Sequence, residues 1–189
     1  MTDAELWRRG VAGVETDYLV LPSAVRSSLR KTVEAVKSCK LALQLLADKA
    51  SCGDSCALCR GACCRSGKYH FTVVDLLVFL VDGIELFSPR FDQGVCPYLG
   101  ANGCLMSPSY RPFNCIIFIC DSVEERLSPE DVDMSRRFEK ELRSHYEAVE
   151  SLFARRFMHG LLINSEREIV GGSGTILGRD VTAASTRLT

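Results

Sequence analysis

The sequence predicts a mostly α-helical protein, in which two long amphipathic helices and a short helix surround an irregular, cysteine-rich lobe that binds metal. Two long segments carry apolar residues at steps of three or four, and two capping-box sequences mark helix starts. Nine of the ten cysteines lie in the middle of the chain. A length of 189 residues suits one globular domain, which we divide into segments 1–51, 52–120, 121–163 and 164–189.

The first long helix is predicted from about Pro22 to Ala50. From Val25 onward its apolar residues recur every three or four positions, so they share one face of the helix. Proline at the start fits a first helical turn, where its missing N–H costs nothing. Before this helix, residues 1–21 are expected to form a short helix followed by an extended stretch over residues 18–21.

Two capping boxes predict the starts of the other helices. In Thr72-Val73-Val74-Asp75, the carboxylate is expected to reach back to the cap, beginning a short helix that ends near Gly83. Ser128-Pro129-Glu130-Asp131 begins the second long helix, predicted to run to about His159 and to be closed by glycine. The remaining residues 164–189 are polar and glycine-rich, and we expect a mobile tail with a docked hairpin near Ile169 and Ile176.

The two long helices carry opposite charge. Residues 22–50 hold six Lys or Arg and two Asp or Glu, a net charge of +4. Residues 121–150 hold five Lys or Arg and ten Asp or Glu, a net charge of −5. An antiparallel pair with complementary charges fits these numbers, and so do two separately solvated surfaces.

Composition argues against several classes of function. A net charge of −1 and a pI near 6.3 provide no basic field for nucleic acid. The longest apolar stretches, residues 71–81 and 116–119, are too short or too interrupted to span a bilayer. The first residues contain acids and no apolar run, so we expect no signal peptide and a cytoplasmic location. In a reducing cytosol, clustered cysteines are metal ligands more often than disulfides.

The clustered cysteines indicate a site for a soft metal. Short spacings such as Cys56-x-x-Cys59 hold several thiolates near one point, which a zinc ion or an iron–sulfur cluster requires. Adjacent Cys63 and Cys64 do not easily bind one ion together. Eight candidates could therefore complete two four-ligand sites, or one site plus a redox-active set: Cys56, Cys59, Cys63, Cys64, Cys96, Cys104, Cys115 and Cys120. Cys52 is a spare thiol within reach, and His70 could substitute as a ligand.

The order of these residues resembles a known family. The first cysteines are followed by Cys96-Pro97-Tyr98-Leu99, by Cys104, and by Tyr110-Arg111-Pro112-Phe113-Asn114-Cys115. Residues 52–120 thereby resemble the bacterial cysteine-cluster family of zinc- or iron-chelating domains, the CxxCxxCC family. The resemblance implies a metal-chelating module without an assigned reaction. The ligand positions that it implies are Cys56, Cys59, Cys63, Cys64, Cys96, Cys104 and Cys115.

Three functions remain open from the sequence. The first is an iron–sulfur protein that acts in electron transfer or as a redox component, with Arg111 tuning its potential by nearby positive charge. The alternative is a zinc-stabilised module that is structural or binds a protein partner. The third is a metal-free thiol protein with regulatory disulfides. No phosphate loop, dinucleotide fingerprint, zinc-protease motif or nucleophile elbow indicates an enzyme.

Overall fold

The structure is a computed structural model that describes residues 1–59, 64, 66–92, 94–100, 103–171 and 175–178. The described part contains eight α-helices and a two-stranded antiparallel sheet. The helices are α1 (Asp3–Leu19), α2 (Ser23–Lys49), α3 (Cys52–Cys59), α4 (Val73–Asp82), α5 (Phe113–Ile117), α6 (Asp121–Glu124), α7 (Pro129–Phe153) and α8 (Leu161–Gly171), and the strands are β1 (Leu99–Gly100) and β2 (Gly103–Cys104). The predicted mostly helical fold class is confirmed.

Helix α2 is the centre of the packing. It contacts α7 along its length, and it also contacts α3, α4, α5 and a 3₁₀ turn at Pro108–Tyr110. Its predicted apolar face is buried, including Leu29, Val33 and Val36. The end of α2 meets the start of α7, while the middle of α2 meets the middle of α7. The two long helices are therefore antiparallel.

Charge contributes little to this helix pair among the described residues. The one ion pair that joins α2 to α7 is Lys49 to Asp131, with 2.5 Å between Nζ and Oδ1. The Lys49 side chain is 55% exposed, so solvent screens the interaction. The apolar seam rather than the opposite net charges holds the two helices together.

The short helix α4 is the most deeply buried element. Its capping box forms as predicted: Thr72 Oγ1 accepts from the Asp75 N–H, and Asp75 Oδ2 accepts from the Thr72 N–H at 2.9 Å. Gly83 ends the helix in the left-handed region, with φ of 65°, as a glycine tolerates. Eight of its ten residues are buried, so α4 lies inside the core rather than on its surface.

A buried ion pair connects α4 to both long helices. Lys40 Nζ lies 2.9 Å from Asp75 Oδ1, and both side chains are inaccessible to solvent. The Tyr146 hydroxyl donates to the same carboxylate oxygen at 2.5 Å. The second oxygen, Oδ2, accepts from the backbone N–H and the hydroxyl of Thr72, the cap of α4. Both carboxylate oxygens therefore have partners, which come from α2, from α7 and from the cap of α4. Such a network is stable only when every member is satisfied.

The N-terminal helix is longer than predicted. Thr2 and Glu5 form a reciprocal capping box that begins α1, and the helix continues to Leu19. Residues 18 and 19 are therefore helical, and the predicted extended stretch over residues 18–21 is wrong for them. The helix persists because Trp7, Gly10 and Val14 recur on one face that is buried against α4 and α8.

The second long helix is shorter than predicted, because α7 ends at Phe153 rather than near His159. Ala154 adopts the left-handed conformation, with φ of 49°, which stops the helix. The Glu150 carboxylate then accepts from the backbone N–H groups of Phe157 and Met158, which stabilises the turn. Phe157 still contacts Phe153, so its apolar spacing reflects a bent chain rather than a continued helix.

The expected mobile tail is wrong for residues 164–171, which belong to α8. This helix is polar on its outer side but buries Leu161, Leu162 and Ser165 against α1. Near Ile169 and Ile176 there is no hairpin in the described residues; Ile169 is helical, and Ile176 is buried in the core. The packing onto α1 could not be read from composition alone.

The start of α8 anchors the chain just before α4. The Leu161 N–H donates to the Phe71 carbonyl at 2.6 Å, and Gly160 forms an isolated bridge with Thr72. A Cβ atom on Gly160 would collide with the Tyr69 carbonyl, so only glycine permits this approach. Residues 69–72 are held in place by this contact. None of the described helices combines the length and the apolar character needed to cross a bilayer.

We expect Lys40→Met to lower the free energy of unfolding by about 3–5 kcal/mol, because it leaves the Asp75 carboxylate buried without its cation. Lys49→Met is the matched control on the same helix. Because it removes only an exposed ion pair, it should lower the free energy of unfolding by less than about 1 kcal/mol. Urea unfolding followed by circular dichroism measures both variants. Equal losses of stability in the two variants would contradict a special role for the buried pair. The double variant with Asp75→Asn and Lys40→Met should regain part of the stability that Lys40→Met loses, because it no longer buries an unpaired carboxylate.

Candidate metal centre

One cavity of about 1390 Å³ lies between the lobe and the two long helices. Side chains of α2 and α7, including Gln44, Ala47 and Val132, form one side of it. The lobe forms the other side with six cysteines and a histidine. These are Cys52, Cys56, Cys64, Cys96, Cys104, Cys115 and His70.

The first group of cysteines surrounds Cys115. Burial raises the pKa of this thiol well above its ordinary value, and negative charge on Cys104, Cys96 and Cys64 raises it further. All four of these cysteines also line the cavity. Cys64, Cys96, Cys104 and Cys115 therefore share one neighbourhood, although their positions in the chain span more than fifty residues.

His70 belongs to this first group. Its Nδ1 atom lies 3.4 Å from the Cys115 sulfur, and burial lowers the pKa of the imidazole, with the negative charge of Asp75 opposing the shift. A neutral imidazole is the form that binds metal. The sequence left His70 as an optional ligand, and the structure places it against the half-buried Cys115 thiol.

Short local elements position the sulfurs of the first group. Cys104 lies in β2, directly opposite Leu99 of β1, and the Leu99 N–H donates to the Cys96 carbonyl at 3.1 Å. Gly67 passes so close to Cys96 that an added Cβ would stand 2.5 Å from its sulfur. Buried Tyr98 donates its hydroxyl to the Lys68 carbonyl at 3.2 Å, which fastens this turn to the segment that carries His70.

The second group is built on α3. Cys52, Cys56 and Cys59 are four and three residues apart, so a helix places them on one face. The sulfurs of Cys52 and Cys56 are 3.9 Å apart. Burial raises the pKa of Cys56 to about 11, and the negative charges of Cys52, Cys59 and Cys120 contribute to the increase. Cys120 thus joins the three cysteines of α3 from the N-terminus of α6.

Arg111 lies on the wall of the cavity beside the second group. Its Nη1 atom donates to Gln44 Oε1 at 2.9 Å, and its Nε atom lies 3.4 Å from the Met106 carbonyl. Burial raises the pKa of Cys52, while the Cys56 hydrogen bond and the charge of Arg111 lower it. Lys68, a basic residue of the lobe, does not face the cavity and pairs with Asp3 of α1 at 2.8 Å.

The predicted ligands are mostly brought together. Five of the eight line the cavity, whereas Cys59 and Cys120 do not line it, although the negative charges of both raise the pKa of Cys56. Cys63 lies outside the described residues. Cys52, treated as a spare thiol, is a full member of the second group. The signal for it was present in the sequence, because its spacing to Cys56 and Cys59 is that of one helix face.

The cysteine sulfurs of the lobe do not meet at a single point. Among the described residues, no three cysteine sulfurs all lie within 4.8 Å of one another. No disulfide joins the nine cysteines that the structure describes. The lobe therefore holds its thiols around an open volume.

Comparison with protein-family models, curated proteins and solved structures finds no match for this chain.

We expect Gly67→Ala to destabilise the protein by about 1–3 kcal/mol, because the added methyl group overpacks the buried Cys96 side chain. Gly53→Ala is the matched control in the same lobe. Its Cβ would meet nothing within 4 Å, and alanine should stabilise α3 by about 0.5–1 kcal/mol. Urea unfolding measures the two effects, and iodoacetamide labelling of Cys96 should accelerate in Gly67→Ala alone. Unchanged labelling would show that the contact with Gly67 does not position this sulfur.

Proposed function

We propose that this protein chelates metal, and that it holds an iron–sulfur cluster through the clustered thiolates of its lobe to act in electron transfer or as a redox component. The observation that carries the proposal is the convergence of six cysteines and His70 on one cavity. These residues come from α3, β2, α5 and the loops between them. The resemblance of residues 52–120 to the cysteine-cluster family points to the same chemistry.

The donor set fits an iron–sulfur cluster. Such clusters are held by four cysteine thiolates, with histidine as an occasional substitute. Cys64, Cys96, Cys104 and Cys115 make one set of four, with His70 beside it. Cys52, Cys56, Cys59 and Cys120 make another.

The sulfurs of the first group are not spaced as ligands of one zinc ion, and their spacing leaves room for a cluster. Ligands at about 2.3 Å from a zinc ion stand about 3.8 Å apart at the corners of a tetrahedron. The first group does not bring three sulfurs within 4.8 Å of one another. A cluster is wider than a single ion, so it accommodates thiolates that stand further apart.

The surroundings suit a redox centre, which when bound supplies one-electron transfer. Ile116, Met106 and Val132 line the cavity and lower the local dielectric. Arg111 contributes a fixed positive charge that favours the more negative, reduced form of a nearby centre. Its hydrogen bond to Gln44 holds the guanidinium against α2, so that this charge stays at the wall of the cavity.

A zinc-stabilised module is the second candidate, and one distance supports it. The 3.9 Å between the Cys52 and Cys56 sulfurs is close to the separation of two thiolates on one zinc ion. The lobe has little regular structure, and a structural ion supplies folding free energy to such segments. In this reading the protein binds a protein partner and performs no redox chemistry.

Metal analysis of the full chain, purified without oxygen, tests the proposal. We expect iron with a matching amount of acid-labile sulfide and a visible absorption band. Cys115→Ser should lose at least half of the iron, because this thiol is at the centre of the first group. The control is Glu147→Gln, because Glu147 is exposed on α7 and does not line the cavity, and this variant should keep the iron content of the wild-type protein.

The other outcomes of this measurement separate the candidates. Zinc without sulfide or colour would replace the redox function with the structural one. Protein that contains neither metal, and whose cysteines all react with a thiol reagent in the native state, would contradict both metal-binding functions.

A further inference from the structure

A second set of potential ligands lies outside the lobe, where α2 faces α7. The Cys39 sulfur, a Glu141 carboxylate oxygen and a His145 ring nitrogen all lie within 4.8 Å of one another. Among the described residues, no other three Cys, His, Asp or Glu side chains meet this criterion. None of the three lines the lobe cavity, so the function proposed for the lobe does not involve them.

The helix geometry places these three side chains together. Glu141 and His145 are four residues apart on α7, one turn along the same face. His145 Nε2 lies 3.7 Å from Glu141 Oε1, close to the separation of about 3.4 Å between nitrogen and oxygen ligands on one tetrahedral zinc ion. Cys39 reaches the same point from the antiparallel helix α2. Residues of two helices therefore face one point, with their ligand atoms within 4.8 Å of one another.

Burial differs across the set. Cys39 is 4% exposed and belongs to the core between the helices. The side chains of His145 and Glu141 are 26% and 56% exposed. Solvent can therefore reach this group of side chains from the side of His145 and Glu141, but not from the side of Cys39. Zinc sites with three protein ligands keep a fourth position open for water or substrate in this way.

The geometry points to a zinc site formed by Cys39, Glu141 and His145, with its fourth coordination position open to solvent. Thiolate, imidazole and carboxylate together suit Zn²⁺ better than Mg²⁺ or Ca²⁺, which prefer oxygen ligands alone. Binding releases the thiol proton of Cys39 to solvent, because only the thiolate ligates. The bound ion links α2 to α7 and stabilises the folded chain in proportion to its occupancy.

A simpler arrangement of the same residues makes a different prediction. Glu141 can be hydrogen-bonded to the buried Cys39 thiol while it also contacts His145 one helical turn away, and this arrangement needs no metal at all. In that case Zn²⁺ would leave the histidine unaffected. The response of His145 to Zn²⁺ therefore separates the two arrangements.

Zinc titration of the full chain, followed by histidine side-chain NMR and by metal analysis, tests the proposal. The chain has three histidines, and His145→Gln identifies the His145 signals. We expect Zn²⁺ to shift these signals, and wild type to retain one more equivalent of zinc than Glu141→Gln. Glu147→Gln is the matched control, because Glu147 is exposed on the same helix and should behave as wild type. Substitution of the exposed Glu141 should weaken zinc binding at least about tenfold.

Two results would overturn the proposal. One is a set of His145 signals that does not respond to saturating Zn²⁺ in the wild-type protein. The other is equal zinc retention by Glu141→Gln, His145→Gln and wild type. Metal content of the lobe is measured in the same samples and should be equal in all variants. Failure of the lobe to bind metal would leave the His145 response intact, so the two proposals fail separately.

Discussion

The buried carboxylate of Asp75 is the interaction on which the rest of the structure depends. It accepts from Lys40 of α2, from Tyr146 of α7 and from the Thr72 cap of its own helix. A carboxylate without these partners could not remain in the core, because an unpaired buried charge costs several kcal/mol. The pairing of the two long helices and the start of α4 are thus fixed at one point.

The Asp75 network also fixes the position of the chain segment that leads into the lobe cavity. His70 precedes the Thr72 cap by two residues, and Phe71 between them accepts from the first residue of α8. The chain segment that carries His70 is therefore held by α4 on one side and by α8 on the other. Because His70 contacts Cys115, this thiol of the lobe lies against a segment that is held by the core. In the proposed function, the helices act as a scaffold for the metal-binding lobe.

The sequence predicted the helices well where neighbouring residues alone determine them. The capping box at Thr72 and the apolar face of α2 both depend on residues close in the chain, and both were confirmed. The end of α7 was missed because Phe157 continues the apolar spacing although the chain has already turned at Ala154. Helix α8 was missed because its polar composition resembles a tail, whereas its few apolar residues bury against α1, which lies far away in sequence.

The grouping of the cysteines could be predicted only in part. The helix face shared by Cys52, Cys56 and Cys59 follows from their spacing. The joining of Cys120 to that face, and of Cys64 to Cys115, depends on how the loops fold back on α2. Spacing alone cannot give such contacts, because residues far apart in the chain meet only through tertiary packing. For the same reason, the grouping of Cys39 with Glu141 and His145 could not be predicted, because it depends on how α2 and α7 are aligned.

X-ray absorption spectroscopy of the full chain, purified without oxygen, tests the central claim that the lobe is a thiolate metal centre. The account predicts iron with a first shell of sulfur and with neighbouring iron atoms. A zinc ion with a sulfur shell would preserve the centre and remove its redox role. A first shell made only of oxygen and nitrogen atoms, or the absence of both metals, would contradict the account.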